Sequence, residues 1–294
     1  MKNILVRGLV FATSFAFGML IARQAKAQDE HSSLLWKIEG NGLDQPSYVF
    51  GTIHLICPDD FFLSDAAKKA VSESDQIVME LDMDDPQLVA KMQQQSMNPG
   101  MKNFSEKLTE EQLATINGFF TKHYGASLTQ LGIMKPFALL SMMLLKSMDC
   151  SQPASYEQSL VKEANANELE VLGLETVEFQ MSVFDKASLE EQVSWLTYYA
   201  QDEDGMKAEF ETMVDLYKKQ DIEGLHNVII DSEQFQDMAD DLLYKRNADW
   251  IGKIEKFMVE KPTFFGVGAG HLGSDKGVLA LLRKEGYTVT PVKN

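Results

Sequence analysis

The sequence contains no Gly-x-Ser-x-Gly nucleophile elbow, and neither of its two cysteines stands in a catalytic context, so covalent serine or cysteine catalysis is disfavoured. It lacks the compact His-Glu-x-x-His metal signature. No low-complexity linker divides it. Positive charge is scarce: 27 Lys and Arg face 44 Asp and Glu, a formal net charge of −17. That balance argues against nucleic acid or an anionic membrane surface as partner. It suits cationic ligands, metal ions included, and equally serves plain solubility. The 45% of hydrophobic residues is enough to bury a proper core.

An apolar run of membrane-spanning length is missing too. The first run, Gly8 to Ala22, is short for a span and holds Thr13 and Ser14. Lys2 and Arg7 precede it and Ala25-Lys26-Ala27 follows, so residues 1–27 read as a secretory signal with an A-x-A cleavage site. No cysteine sits at that site, so there is no lipoprotein signal. Losing Lys2, Arg7, Arg23 and Lys26 takes the net charge from −17 to −21. The mature chain, 28–294, is expected to be exported, periplasmic or extracellular, with no stable membrane insertion. In an oxidising compartment Cys57 and Cys150 either pair or remain two thiols; a bridge would pin the segment after His54 to a helical insertion.

Two stretches organise what is present: Gly51-Thr52-Ile53-His54 and Gly268-Ala269-Gly270-His271. Each is a Gly-x-x-His that follows a short apolar run, Tyr48-Val49-Phe50 or Thr263-Phe264-Phe265, read as a buried strand. Histidines just past strand ends, beside glycines, lie where open α/β sheets bind ligands. Around these, 34–39 and 47–54 read as strands joined by a turn, 64–74 as a helix capped by Ser64, and 75–82 as a strand with acids at its exit. Residues 86–166 turn helical, with Pro136 in the first turn of an apolar helix. Residues 168–174 form another strand, 189–230 two or three acidic helices, and 238–258 a longer helix. The end is strand, helix 277–284, a stop at Gly286 and a last strand over 287–292. The predicted fold class is α/β. A mostly parallel central sheet comes from about 33–85, 168–180 and 262–292, and a helical subdomain from about 86–166 and 187–258 is inserted into it.

Four predicted strands end in His54, Glu80, Glu175 and His271. If they are parallel neighbours, these groups share one sheet edge. Two imidazoles with one or two carboxylates suit a divalent metal with a position open to water, a spare glutamate serving as base. The same residues also suit metal-free hydrolysis, in which a histidine oriented by a carboxylate activates water, or simple hydrogen bonding at strand ends. Arg246, if it faces inward, could hold a substrate carboxylate or an oxyanion; on the surface it would form a salt bridge. Of the five histidines, His31 lies near the cleavage site, and His123 and His226 sit in helical stretches without a polar constellation.

Several blocks taken together resemble the TraB/GumN family, which includes the Tiki metalloproteases and is distantly similar to erythromycin-esterase and haem-binding ChaN proteins. They are Phe50 to Leu55, Glu80-Leu81-Asp82, Lys135-Pro136, Gly173 to Thr176 with Gln180, Arg246 to Trp250, and Gly268 to Gly273 with Gly277, Leu281-Leu282 and Gly286-Tyr287. The resemblance runs from about 33 to 292 and departs at Phe137, where tryptophan is expected. It implies an α/β core with an inserted helical region and, in the Tiki branch, peptide-bond cleavage supported by manganese or cobalt. It matches His54 and His271 to the motif histidines, Glu80 to the acid after the second core strand, and Glu175 and Arg246 to further polar positions. The resulting expectation is an exported metal-dependent hydrolase of peptides or proteins, with His54, Glu80 and His271 on the metal and Glu80, Glu175 and Arg246 in catalysis. The alternatives are a haem- or metal-binding protein without turnover and a metal-free esterase-like hydrolase.

Overall fold

A computed structural model describes residues 32–293. The leader expected over 1–27, and His31, lie outside the described residues. Strand β1 (Leu35–Glu39) and β2 (Ser47–Thr52) form the predicted antiparallel hairpin. The short β3 (Leu55–Ile56) pairs with β5 (Ala154–Ser155) in a separate two-stranded ladder that the sequence did not announce. With β4 (Gln76–Met79), β6 (Glu170–Gly173), β7 (Thr263–Gly268) and β8 (Thr288–Pro291), the main sheet has the order β6-β4-β7-β2-β1-β8.

The four strands that lead to the candidate polar groups are contiguous and mutually parallel, with β7 inserted between β4 and β2. β2, β4 and β7 are mostly apolar and almost wholly buried, as a sheet covered on both faces requires, while β6 at the edge buries only Val171 and exposes Glu170. β1 and β8 add an antiparallel border. The β2–helix–β4 crossover runs through Asp65–Ser72, whose N-terminus is capped by Ser64 accepting from the Ala67 amide. The mixed, mostly parallel α/β fold read from the sequence is therefore the fold observed.

Buried apolar residues gather in two clusters. One wraps the sheet and includes Trp36, Phe264, Phe265 and Trp250. The other joins helices Glu110–Tyr124, Pro136–Lys146 and Leu189–Gln201, with Phe119, Phe120, Leu140 and Trp195 at its centre. A disulfide joins Cys57, just beyond β3, to Cys150, with Cα atoms 5.7 Å apart. It clamps the segment following His54 to the end of the Pro136–Lys146 helix. Among the described residues, no helix is long and apolar enough to cross a membrane.

Candidate active site

The two motif loops touch because of Gly51. A Cβ there would lie 2.9 Å from Leu272 Cδ1 and 3.0 Å from Ala269 Cα, so only glycine lets the first loop rest on the second. Parallel pairing of Thr52 with Gly268 fixes their register. The loops thus leave the same sheet edge side by side.

His271 is buried on the inner side of this edge. Its Nδ1 lies 2.6 Å from Asn247 Oδ1, and its Nε2 lies 3.3 Å from an Arg246 guanidinium nitrogen. A guanidinium can only donate, so Nε2 accepts and Nδ1 carries the proton. Burial, aided by the Arg246 charge and opposed by Glu80, pushes the imidazole down to about 3; it is neutral at pH 7. His54 stands at the outer side with its ring 70% exposed. Its Nδ1 is 2.9 Å from Glu157 Oε1, which also accepts from the Thr52 hydroxyl. Partial desolvation opposes protonation, and the Glu157 hydrogen bond and charge outweigh it, raising His54 to about 9. Burial alone would raise the Glu157 carboxyl; its contact with His54 holds it below the usual range instead.

Arg246 sits at the centre. The Lys245–Glu260 helix buries Arg246, Asn247, Trp250, Ile251, Ile254 and Met258, a single face, so its first turn aims two polar side chains inward. A π-helical turn, Asp240–Tyr244, precedes it, and Arg246 donates back to the Leu242 carbonyl at 3.0 Å. The guanidinium grips Glu175 through two nitrogens at 2.8 to 3.2 Å and Glu80 Oε2 at 2.6 Å. Glu80 receives further bonds from Gln180 at 3.0 Å and from the Gly268 amide at 2.8 Å. Burial would raise the Glu80 carboxyl, but the Arg246 charge, the histidines and the Gly268 amide lower it to about 2.

All five residues predicted from the sequence thus lie along one edge. Two of them have polar partners that the sequence did not predict. Glu175, proposed as base or further ligand, has both oxygens occupied by Arg246 and by the Trp250 indole at 2.8 Å. It anchors the arginine. Arg246, proposed to hold substrate, spends its N–H groups on Glu175, Glu80, Leu242 and His271. Glu157, Asn247 and Gln180 are the partners missed as site residues. Asn247 and Gln180 stood within the blocks that carry the resemblance. Glu157 lies in the first turn of the Tyr156–Ala166 helix, outside every motif read from the sequence.

For a metal, the predicted donors are His54, Glu80 and His271. Among the described residues, no group of three or more His, Cys, Asp and Glu side chains is placed to enclose an ion. His271 Nε2 and Glu80 Oε1 lie 3.9 Å apart and face each other. Imidazole and carboxylate are donor types that divalent ions take. Each histidine engages an oxygen through Nδ1, as metal-binding histidines do, while Nε2 of His271 accepts from Arg246.

The TraB/PrgY/gumN family model matches residues 34–291. The chain belongs to this family. Over 318 residues it is 25% identical to Metalloprotease TIKI1 of Homo sapiens, covering 89% of this chain and 62% of that protein. It is 23% identical to Metalloprotease TIKI2 of Xenopus tropicalis, covering 90% of this chain and 60% of the relative. The chain therefore spans about 60% of the length of the curated relatives it matches. No solved structure matches it. Within this TraB/PrgY/gumN chain, the residues that resembled the family's motif histidines are the two on adjoining loops of the parallel sheet.

Proposed function

We propose that the protein is an exported hydrolase of peptide bonds that works with a divalent ion held by His54, Glu80 and His271. The observation that carries this reading is the shared treatment of the two histidines. Each ring is fixed through Nδ1 by a side-chain oxygen, Glu157 or Asn247, which aims Nε2 as the donor atom; to hold an ion, His54 would give up its proton there and His271 would exchange its contact with Arg246. The name metalloprotease, printed for relatives matched along most of the chain, supports it. A bound ion would acidify a water and polarise the peptide carbonyl.

The protein's own groups have separable tasks. Glu80, ionised through its contact with Arg246, supplies a carboxylate beside His271 that can ligate or accept a proton from water. Arg246 and Glu175 position Glu80. Neutral His271 has no proton on Nε2 to lose at neutral pH, only its contact with Arg246 to exchange. Export rests on the leader-like residues 1–27 and on the Cys57–Cys150 bridge, which suits an oxidising compartment.

Elemental analysis of protein purified without chelators tests the reading. One divalent ion per chain is expected, manganese or cobalt restoring peptide cleavage after chelation. His54→Ala and His271→Ala should lose both ion and activity while keeping their circular dichroism spectra. A wild-type protein that takes up no divalent ion, with both variants cleaving peptides as wild type does, sinks the proposal. A Soret shift on haem titration that needs either histidine would favour the binding-protein reading. Activity that survives exhaustive chelation would favour the metal-free one.

A further inference from the structure

A cavity of about 460 Å³ adjoins the site on the side of the helices. Its floor is made by both motif loops, Thr52–Leu55 and Gly268–Gly270. Its walls come from the Pro136–Lys146 helix and the Glu203–Lys218 helix, with Leu144, Leu145, Phe210 and Met213 facing it. The size is that of a small-ligand or side-chain pocket.

Its chemistry is unlike the rest of the surface. In a chain with 27 Lys and Arg and 44 Asp and Glu, none of these residues lines the cavity. The few polar side chains on it are already engaged. Thr52 donates to Glu157, Tyr217 to the Gly51 carbonyl, and Ser141 to the Phe137 carbonyl. Apart from His54, no side chain on it offers a charge or a free hydroxyl proton to a charged or polar occupant. Leu145, on the rim, is 42% exposed, and Met148 and Met213 supply side chains that adapt to different shapes. The Cys57–Cys150 bridge ties the end of this wall to the loop that carries His54, so pocket and site keep their spacing.

We propose that this pocket receives a bulky apolar side chain of the substrate, so that the enzyme selects peptides with Phe, Leu, Met or Trp at one fixed position from the bond cut. The inference rests on the hydrolase reading above and adds the substrate class. Contact with both histidine-bearing loops places such a side chain within a residue or two of the reacting bond. Burial of a benzyl group in place of a methyl corresponds to roughly 10- to 200-fold discrimination.

The test uses the intact oxidised protein and two fluorescein-labelled decapeptide pools, randomised except for a central Phe in one and a central Ala in the other. Fluorescence polarisation should show the Phe pool binding at least about tenfold more tightly. Ser141→Trp, which fills the pocket from an exposed position, should bring the ratio below about twofold, as should Leu145→Asp on the rim. Both variants should retain wild-type circular dichroism. Pools that bind alike or not at all, or a ratio that survives both folded variants, overturn the proposal. Mass spectrometry of the same pools after incubation with manganese separates the two inferences. Cleavage without preference for the Phe pool overturns the pocket alone. Phe-selective binding without cleavage supports the pocket and counts against the hydrolase reading alone.

Discussion

His54 and His271 end the same Gly-x-x-His motif on adjacent parallel strands, yet one ring is 70% exposed and the other 6%. One is raised to about 9 by a carboxylate, and the other is lowered to about 3 by burial beside a guanidinium. The motif fixes where the backbone goes. The charge of the imidazole is fixed elsewhere, by Glu157 on one helix and by Asn247 and Arg246 on another. Repeated motifs therefore need not be chemically equivalent, and variants that break one side should leave the other readable.

The largest effect should come from the buried side. Arg246→Ala leaves Glu80 and Glu175 facing each other without their shared cation. Removing one partner of a buried ion pair costs about 3–5 kcal/mol. Urea unfolding should show a loss of that order, while the His54 resonances stay near their wild-type positions. Lysine at 246 should recover only part of it, because an ammonium cannot make the forked contacts of the guanidinium. A fully stable Arg246→Ala protein would show that the inner network is dispensable.

Next in size is the tether on the exposed side. Cys57 and Cys150 are 93 residues apart, and cross-links closing long loops typically stabilise by about 2–4 kcal/mol. Cys150→Ser paired with Cys57→Ser should lower stability by that amount and disturb the His54 loop more than the His271 loop. Hydrogen exchange at Leu55 and Ile56 against Val267 would reveal the asymmetry. Equal acceleration at both places would argue that the bridge acts on the whole fold.

The join between the two motifs is a smaller target. Gly51→Ala drives a methyl to 2.9 Å from Leu272 Cδ1 and 3.0 Å from Ala269 Cα. Overpacking of this kind costs about 1–3 kcal/mol. It should separate the loops, lowering thermal stability and, on the proposed function, divalent-ion affinity together. Unchanged ion affinity with lowered stability would mean the histidines do not share one ligand.

The sheet was legible in the sequence because its strands are short apolar runs that stop at glycines and polar groups; 47–54, 75–82 and 263–267 each announce a buried strand and its exit. The cap at Ser64 and the stop at Gly286, with φ at +97°, follow from local chemistry in the same way. The position of β7 between β4 and β2 was not legible, since it joins segments nearly two hundred residues apart. Nor were the roles of Glu175 and Arg246. Both residues read as groups that could touch substrate, and only the packing of Lys245–Glu260 against the strand ends turns them toward each other. Glu157 was invisible for the same reason: its partner His54 is 103 residues away.

The smallest expected effect sharpens the contrast between the rings most directly. In metal-free protein, NMR titration should find His54 losing its proton above its ordinary value and His271 remaining neutral down to about pH 3. Glu157→Gln removes the carboxylate and should return His54 to near or below its ordinary value of about 6.5 without moving His271. A folded-state value raised above the unfolded one means that protonation favours the fold. The His54–Glu157 pair therefore stabilises fully below about pH 6.5, and that contribution is lost as pH rises through the raised folded value. The ring is exposed, so water and salt reduce its worth to about 0.5 kcal/mol or less. Glu80 has the opposite sign. Its lowered carboxyl contributes above the unfolded value of about 4.5, and the contribution disappears as pH falls through about 2. Stability measured from pH 2 to 10 should accordingly fall at both ends. Glu157→Gln should flatten the alkaline slope and also remove Glu157's own lowered carboxyl from the acid slope, leaving the part that belongs to Glu80. If the His271 resonances move with the substitution, the two histidines are coupled through the sheet edge, and their independence is wrong.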